Sequence, residues 1–211
     1  MMRSLSLIFL ILFLLIAGTS SALATTKGPT DTIRQTVDDV LNIIKNPDMQ
    51  DPAKKQPLLK KVEEHIITIF DFLEFSARTV GPKWRTFTPN QKKNFEDAFA
   101  DLLRATYVDK LENYSGEKVD FTGEIMGSKG DKAEVQSSIA INNKIIPVAY
   151  RLLVKNNEWK VYDVRIENVS LIENYRGQFK DILLKGDAEE LIQKVQEKAQ
   201  EIKNQNNTPK S

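Results

Sequence analysis

From Val119 to Ile166 the sequence falls into four successive strand-like runs, and the gaps between them are too short to hold a crossover. Val119 and Phe121 alternate with polar residues in the first run; Val135, Ser137, Ile139 and Ile141 do so in the second, and Val148, Tyr150, Leu152 and Val154 in the third. Turn residues separate them: Gly127 to Asp131, Asn142-Asn143 and Asn156-Asn157. Parallel strands need a connection of about a dozen residues or more, so these turns leave an antiparallel meander.

The fourth run, EWKVYDVRI from Glu158, changes parity partway. Trp159 and Val161 share one face, while Tyr162, Val164 and Ile166 share the other. Such a switch predicts a bend or a bulge, and hence a long curved strand around a concavity. On this reading Trp159 packs against a helix on the face opposite Tyr162 and Val164. The strand then feeds directly into a helix, because Ser170 and Glu173 have the spacing of a capping box.

Helical periodicity flanks the sheet on both sides. Ile33, Val37, Val40, Leu41 and Ile44 form a first stripe that Asn46-Pro47 ends. Asp51 and Pro52 start a second helix striped by Leu59, Val62, Ile66, Ile69 and Phe70, and the aromatic run FDFLEF carries it to a break at Gly81-Pro82. Thr88, Pro89 and Gln91 cap a third, along which Phe95, Phe99, Leu102, Leu103, Thr106, Tyr107, Leu111 and Tyr114 form one long stripe. After the sheet, Ile172, Tyr175, Phe179, Ile182 and Leu183 stripe one helix; Asp187 caps another, striped by Leu191, Ile192, Val195, Ala199 and Ile202.

Arg3, the apolar run LSLIFLILFLLIA and the small residues ending Ala22-Leu23-Ala24 have the order of a secretory signal peptide, and the apolar run is shorter than the ~20 residues that span a bilayer. Residues 1–24 are therefore expected to be removed, leaving a chain that begins at Thr25. The sequence has no cysteine, which excludes disulfides, thiolate metal sites and a lipid-modified cysteine anchor. Of 30 basic and 29 acidic residues the leader holds only Arg3, so the remaining chain has 29 of each and no overall field to attract nucleic acid.

Catalytic patterns are sparse. His65, the one histidine, stands beside Glu63 and Glu64 with no nucleophile near it in sequence. Asp38-Asp39 and Glu189-Glu190 are helix neighbours that point about 100° apart and cannot jointly chelate an ion. No phosphate loop, nucleophile elbow or histidine metal spacing is present. The pairs Lys54-Lys55, Lys60-Lys61 and Lys92-Lys93 fit a solvated surface or contacts with an acidic partner or anionic headgroups. Periodicity alone leaves open whether sheet and helices close as a solid core or enclose a pocket.

The run Trp159-Lys160-Val161-Tyr162-Asp163-Val164, with Ile166-Glu167, Val169-Ser170-Leu171, Asn174-Tyr175-Arg176 and Gln178-Phe179, resembles the signature of the MlaC (toluene-tolerance) family of periplasmic phospholipid-binding proteins. Gly81, Trp84-Arg85, Thr88, Gln91 and the Phe95-Phe99-Leu103-Tyr107 helix resemble its central portion; Asn168 departs from the family's usual glycine, but asparagine also tolerates positive φ. The resemblance agrees with the order of helices, sheet and helices, which reads as a single α+β domain over residues 25–203, with a curved antiparallel sheet of about four strands packed against N- and C-terminal helices in a cone-like arrangement resembling an NTF2-type fold. Residues 204–211 are expected to form a disordered polar tail.

It further implies a soluble carrier without cofactor, holding phospholipid acyl chains between sheet and helices. Its partners would be an inner-membrane ABC transporter complex with a lipid-binding substrate domain and an outer-membrane lipoprotein/porin complex. The lining expected from this resemblance is Phe70, Leu73, Phe99, Leu102, Leu103, Tyr107, Val148, Tyr150, Leu152, Val164, Ile166, Val169 and Tyr175, with the helix from Pro89 to Leu111 laid over the sheet face. Two other readings remain: a small pocket enzyme of similar fold using Asp163 or Glu167 as base, and a protein-binding adaptor with a filled core.

Overall fold

A computed structural model of the protein describes residues 27–108, 118–141 and 144–207. The expected signal peptide, the Asn142-Asn143 turn, Leu111 and Tyr114 lie outside the described residues. Strands β1 (Val119–Met126), β2 (Lys132–Ile141), β3 (Lys144–Lys155), β4 (Glu158–Ile166) and β5 (Val169–Ser170) lie side by side in chain order, each antiparallel to its neighbour. The meander is as the turn lengths predict, with one strand more than the periodicity reveals.

The parity switch in β4 is a β-bulge. Leu152 pairs with Val161 and Arg151 with Asp163, so Tyr162 is the extra residue. Its effect is the reverse of the expectation that Trp159 and Val164 face opposite ways. Skipping Tyr162 brings Trp159, Val161, Val164 and Ile166 onto one face with Val148, Tyr150 and Leu152, and Trp159 and Val164 belong to the same buried cluster. A sequence parity shift becomes a continuous apolar face because the bulge absorbs one residue. A second bulge, in β1 between Phe121 and Gly123, sets Glu124 and Met126 opposite Val135 and Ala133 of that face.

Nor does β4 run straight into a helix. Glu167 (φ 50°) and Asn168 (φ 66°) form a tight left-handed turn, which reverses the chain and lets β5 pair with β4. Asn156 and Asn157, between β3 and β4, adopt the same conformation, at φ 52° and 62°. Asparagine tolerates this region better than most residues, so the departure at Asn168 is accommodated in the backbone.

Among the described residues six α-helices complete the fold: α1 (Pro29–Ile44), α2 (Pro52–Ile69), α3 (Phe72–Val80), α4 (Pro89–Leu103), α5 (Leu171–Lys185) and α6 (Ala188–Asn207). Thr88 and Gln91 form the reciprocal capping box expected at α4. The break between α2 and α3 is not expected from the sequence. Phe70 leaves the helix to bridge Val161, Asp71 N donates to Val161 O at 2.8 Å, and Asp71 Oδ1 accepts from Glu74 N at 3.1 Å to start α3. The long helix expected after Pro89 also changes character, since a π-helical turn, Arg104–Val108, follows α4. At the other end α6 continues to Asn207, so residues 204–207 are helical where a disordered tail was expected, and 208–211 lie outside the described residues.

Two large apolar clusters result. One is built almost wholly from α3–α6 around Phe75, Phe95, Phe99 and Phe179. The other lies on one face of the sheet, covered by Ile33 of α1 and Ile69 of α2. Asp163 joins the two layers from the opposite face of β4. It is 1% exposed; Oδ2 accepts from Ser170 Oγ at 2.7 Å, Oδ1 accepts from Ile172 N at 3.2 Å, and Arg151 Nη1 lies 3.4 Å from Oδ2. Ser170 Oγ in turn accepts from Glu173 N, so the start of α5 is fastened to the sheet by a side chain that the bulge turns outward. Asp163→Ala leaves the Ile172 N–H and Arg151 without this partner and is expected to cost about 3 kcal/mol. Denaturant unfolding reads this directly, and an unchanged midpoint would contradict the fastening role.

Candidate functional site

Pairing register fixes which side chains share the inner face of the sheet. Successive rows across β2, β3 and β4 are Ala133–Leu152–Val161, then Val135–Tyr150–Val164, then Ser137–Val148–Ile166, with Phe121 extending the last row on β1 and Ile139–Ile146 beyond it. The first row is sealed beneath Ile33 and Ile69, and Leu152 is 0% exposed. Towards the other end Tyr150, Phe121, Ile166, Ile139 and Ile146 keep accessible surface, although they pack in the same cluster, with Val37, Phe70 and Leu171 against it. The inner face is therefore fully buried along the Ala133–Leu152–Val161 row and only partly covered towards Ile139 and Ile146, and that partly covered apolar end is the candidate chamber.

Local sequence explains how α1 roofs this face. Thr30 N and Oγ1 donate to Glu124 Oε2 at 3.1 and 2.5 Å, placing a β1 carboxylate at the positive end of α1. One turn on, the Arg34 guanidinium stacks 4.4 Å from the centre of the Phe121 ring. Hydroxyls are few on the inner face. Ser137 Oγ donates to Val148 O at 3.1 Å. Burial pushes the Tyr150 phenol above its ordinary pKa, and the neighbouring Ser137 opposes that shift. Tyr150 thus stays neutral.

The residues expected to line one site divide between both clusters. Phe70, Val148, Tyr150, Leu152, Val164 and Ile166 do come together on the inner sheet face. Phe99, Leu102, Leu103 and Tyr175 lie instead in the helical cluster, where the Phe99 ring centre is 5.2 Å from Phe75, 5.0 Å from Tyr175 and 5.3 Å from Phe179. The expected laying of α4 over the sheet is therefore corrected: its main contacts are α6, the π turn and α3, and its aromatic stripe is used up there. Tyr107, in the π turn, is hydrogen-bonded to Tyr175, and burial raises both phenol pKa values. Leu73 is 46% exposed on α3 and Val169 57% exposed on β5, beside Ile166.

Phe121, Ile139, Ile146, Val37 and Leu171 are the chamber residues that the expected lining lacks. Continuing the period-two pattern back from Val148 reaches Ile146, and the first two strands already offered Phe121 and Ile139. Val37 and Leu171 carry no comparable signal, because a helical stripe does not say which part of a sheet it covers.

Neither carboxylate of the enzyme reading reaches the chamber. Asp163 is bound on the outer face within the Glu134–Arg151–Arg165 network, and Glu167 is exposed in the β4–β5 turn. His65 Nδ1 lies 3.9 Å from Asp39 Oδ2 on the partly exposed contact of α1 and α2. Among the described residues no group of three His, Asp or Glu side chains is placed to hold a metal ion, and no helix is long and apolar enough to cross a membrane. A separate open groove of about 480 Å³, lined by Ala77, Arg78, Pro82, Trp84 and Arg85 among others, lies along α3 and the 3₁₀ turn that follows it.

Residues 34–197 match the protein family described as MlaC protein. A curated relative, the intermembrane phospholipid transport system binding protein MlaC of Haemophilus influenzae, is 26% identical over 71% of this chain and 73% of its own. The toluene tolerance protein ttg2D of Pseudomonas putida is 28% identical over 47% of this chain and 46% of its own. Among solved structures, the phospholipid-binding protein from Ralstonia solanacearum, determined in complex with a phospholipid, superposes with a TM-score of 0.74 at 29% identity, covering 83% of this chain and 99% of that one.

The two ends of the inner face should respond differently to a charge. Leu152→Glu places a carboxylate where nothing can hydrate it, and is expected to give insoluble or unfolded protein. Ile146→Glu, on the half-buried wall, is expected to remain soluble and cooperatively folded. Soluble yield and thermal unfolding of the two variants check this; equal behaviour would contradict the division into packed and open ends.

Proposed function

The chain belongs to the MlaC family, and we propose that it is a phospholipid carrier that holds acyl chains in the open end of the inner sheet face and shuttles them between the outer and inner membranes. The observation that carries this reading is the set Phe121, Ile139, Ile146, Tyr150 and Ile166, which is apolar, clustered and only partly buried beneath the roofing helices. At about 0.8 kcal/mol per methylene, an acyl chain of about fifteen methylenes would cost roughly 12 kcal/mol to hold in water. A carrier has to replace the bilayer's apolar surroundings almost completely for the chains, while the headgroup stays in solvent and needs few contacts. An apolar wall beside which Glu124 is tied to α1 and Arg34 is stacked on Phe121 suits that task. The phospholipid complex of the Ralstonia solanacearum protein supports the same reading.

The finer parts of the proposal rest on the family. The signal-peptide pattern and the relatives' roles point to the periplasm, and the intermembrane transport system named for the Haemophilus influenzae relative points to membrane complexes as donor and acceptor. These would be an outer-membrane lipoprotein/porin complex and an inner-membrane ABC transporter complex with a lipid-binding substrate domain. No step of such transport needs catalysis, and the carboxylates of Asp163 and Glu167 lie away from the chamber.

Mass spectrometry of the intact purified protein under non-denaturing conditions is expected to show an added mass equal to whole phospholipid, released by organic extraction. Protein that takes up no phospholipid, purified or after incubation with vesicles, would overturn the carrier reading. Residue Thr25 at the N-terminus of protein recovered from the periplasmic fraction is the expected processing product, and Met1 there would contradict export through a cleaved leader.

A further inference from the structure

We propose that the groove along α3 and the following 3₁₀ turn (Gly81–Thr86) is a docking site for a protein partner, which enters it with a segment carrying a carboxylate beside an apolar side chain. The inference rests on the carrier reading, since a carrier has to meet the complexes that give and take its cargo, and it assigns a surface to that meeting. At about 480 Å³ the groove falls within the roughly 300–1,000 Å³ of ligand sites. The break at Gly81-Pro82 gives it its shape. Gly81 ends α3 at φ 75° and ψ −145°, a backbone conformation that side chains with a Cβ rarely adopt, and Pro82 prevents the α-helix from continuing. Two long-range hydrogen bonds then clamp the turn to α5: Lys83 Nζ donates to Leu183 O at 3.1 Å, and Arg176 Nε donates to Arg78 O at 2.8 Å. The groove is thus in place before a partner arrives, which lowers the ordering cost of binding.

Its lining combines an apolar strip with an unmatched cation. Ala77, Pro82 and Trp84 supply the apolar part, and Leu73, one helical turn before Ala77 and 46% exposed, extends the strip along α3. Glu74 is the one carboxylate in the lining among the described residues, and it is already paired: Arg78 Nε and Nη2 donate to its Oε1 at 2.8 and 2.5 Å, while the Arg78 guanidinium also stacks on Tyr162. Arg85 is exposed and has no ion pair or hydrogen bond among the described residues. Lys92 Nζ, 5.8 Å from the centre of the Trp84 ring, adds a second cation nearby. On the adjoining α5 the exposed charges offset one another, Arg176 and Lys180 against Glu173 and Asp181. A free guanidinium beside an apolar strip selects an incoming carboxylate, held by both nitrogens, and repels an ammonium group. A concave groove also favours a protein segment over a membrane, because a side chain can reach into it and a planar bilayer surface cannot.

Trp84 is one of two tryptophans and the other, Trp159, is buried against the sheet, so the two indole signals separate the groove from the sheet. The purified, isotope-labelled protein is titrated by NMR with two blocked synthetic peptides, EELLEE and KKLLKK. The acidic peptide is expected to shift the Trp84 indole and the amides of Ala77 to Arg85, leaving the Trp159 indole in place, and the basic peptide is expected to shift none of them. Arg85→Glu should weaken the acidic peptide by about tenfold or more and confer binding of the basic one. Ala77→Gln, which fills the strip, should weaken the acidic peptide without changing the charge preference. Both variants are expected to retain as much phospholipid as the wild type by native mass spectrometry. No shift in the groove, equal binding of the two peptides, or an Arg85→Glu protein that binds like the wild type would overturn the proposal and leave the carrier reading intact. Binding to phosphatidylglycerol vesicles that Arg85→Glu abolishes, with no binding of the acidic peptide, would overturn it in favour of a membrane contact. A wild-type protein that neither carries nor takes up phospholipid would overturn the carrier reading, whichever way the peptides behave.

Discussion

One extra residue in β4 organises the sheet and the attachment of the helices to it. With Tyr162 bulged out of the ladder, the four apolar side chains of that strand all point inward and Asp163 points outward. The inward set completes the lined face; the outward carboxylate is buried and fastens Ser170, Ile172 and Arg151 at once. The bulged Tyr162 packs towards the helical cluster, where the Arg78 guanidinium lies 4.4 Å over its ring. Without the bulge, either Val164 and Ile166 or Trp159 and Val161 would face the wrong layer.

This separation gives each layer its own task. The helical cluster is dense with stacked and edge-on aromatic rings and has the character of a solid core. The sheet's inner face is only partly covered at one end, roofed by two helices whose mutual contact is a small cluster around Ile44 and Val62. Stability can therefore be concentrated in α3–α6 while the chamber stays incompletely packed, which a carrier requires because its cargo has to leave. The layers are joined by polar contacts, Asp163 with Ser170 and Ile172 N, Lys155 with Asp71 at 2.7 Å and Arg104 with Glu63, and by apolar ones, Leu171 packing against both clusters and the Phe70 ring centre lying 6.2 Å from that of Phe75.

Much of this was legible in the sequence, and the failures share a cause. Turn residues and alternation specify the meander, and caps such as Thr88-Pro89-Gln91 specify helix starts, because both are local and carry their own hydrogen-bonding logic. The break at Phe70-Asp71 escaped because it depends on a partner ninety residues away, the backbone of Val161. The assignment of Phe99 and Leu103 to the sheet failed for a related reason: an apolar stripe states that a helix face is buried, and not which neighbour buries it. The bulge was foreseen from the parity change, while its consequence was inverted, since the sequence shows the shift but not the pairing that absorbs it. Chamber residues are harder still to read, because a wall and a core use the same aliphatic side chains and differ only in what is left empty.

The central claim is that acyl chains lie against the open end of the inner sheet face and not within the helical cluster. A phosphatidylethanolamine carrying a photoactivatable group near the end of one acyl chain, loaded into the purified protein, illuminated and mapped by peptide mass spectrometry, tests this most directly. Labelling is expected on the β3 and β4 peptides that contain Ile146, Tyr150 and Ile166. Labelling concentrated on the α4 peptide that carries Phe99 and Leu103 would contradict the account.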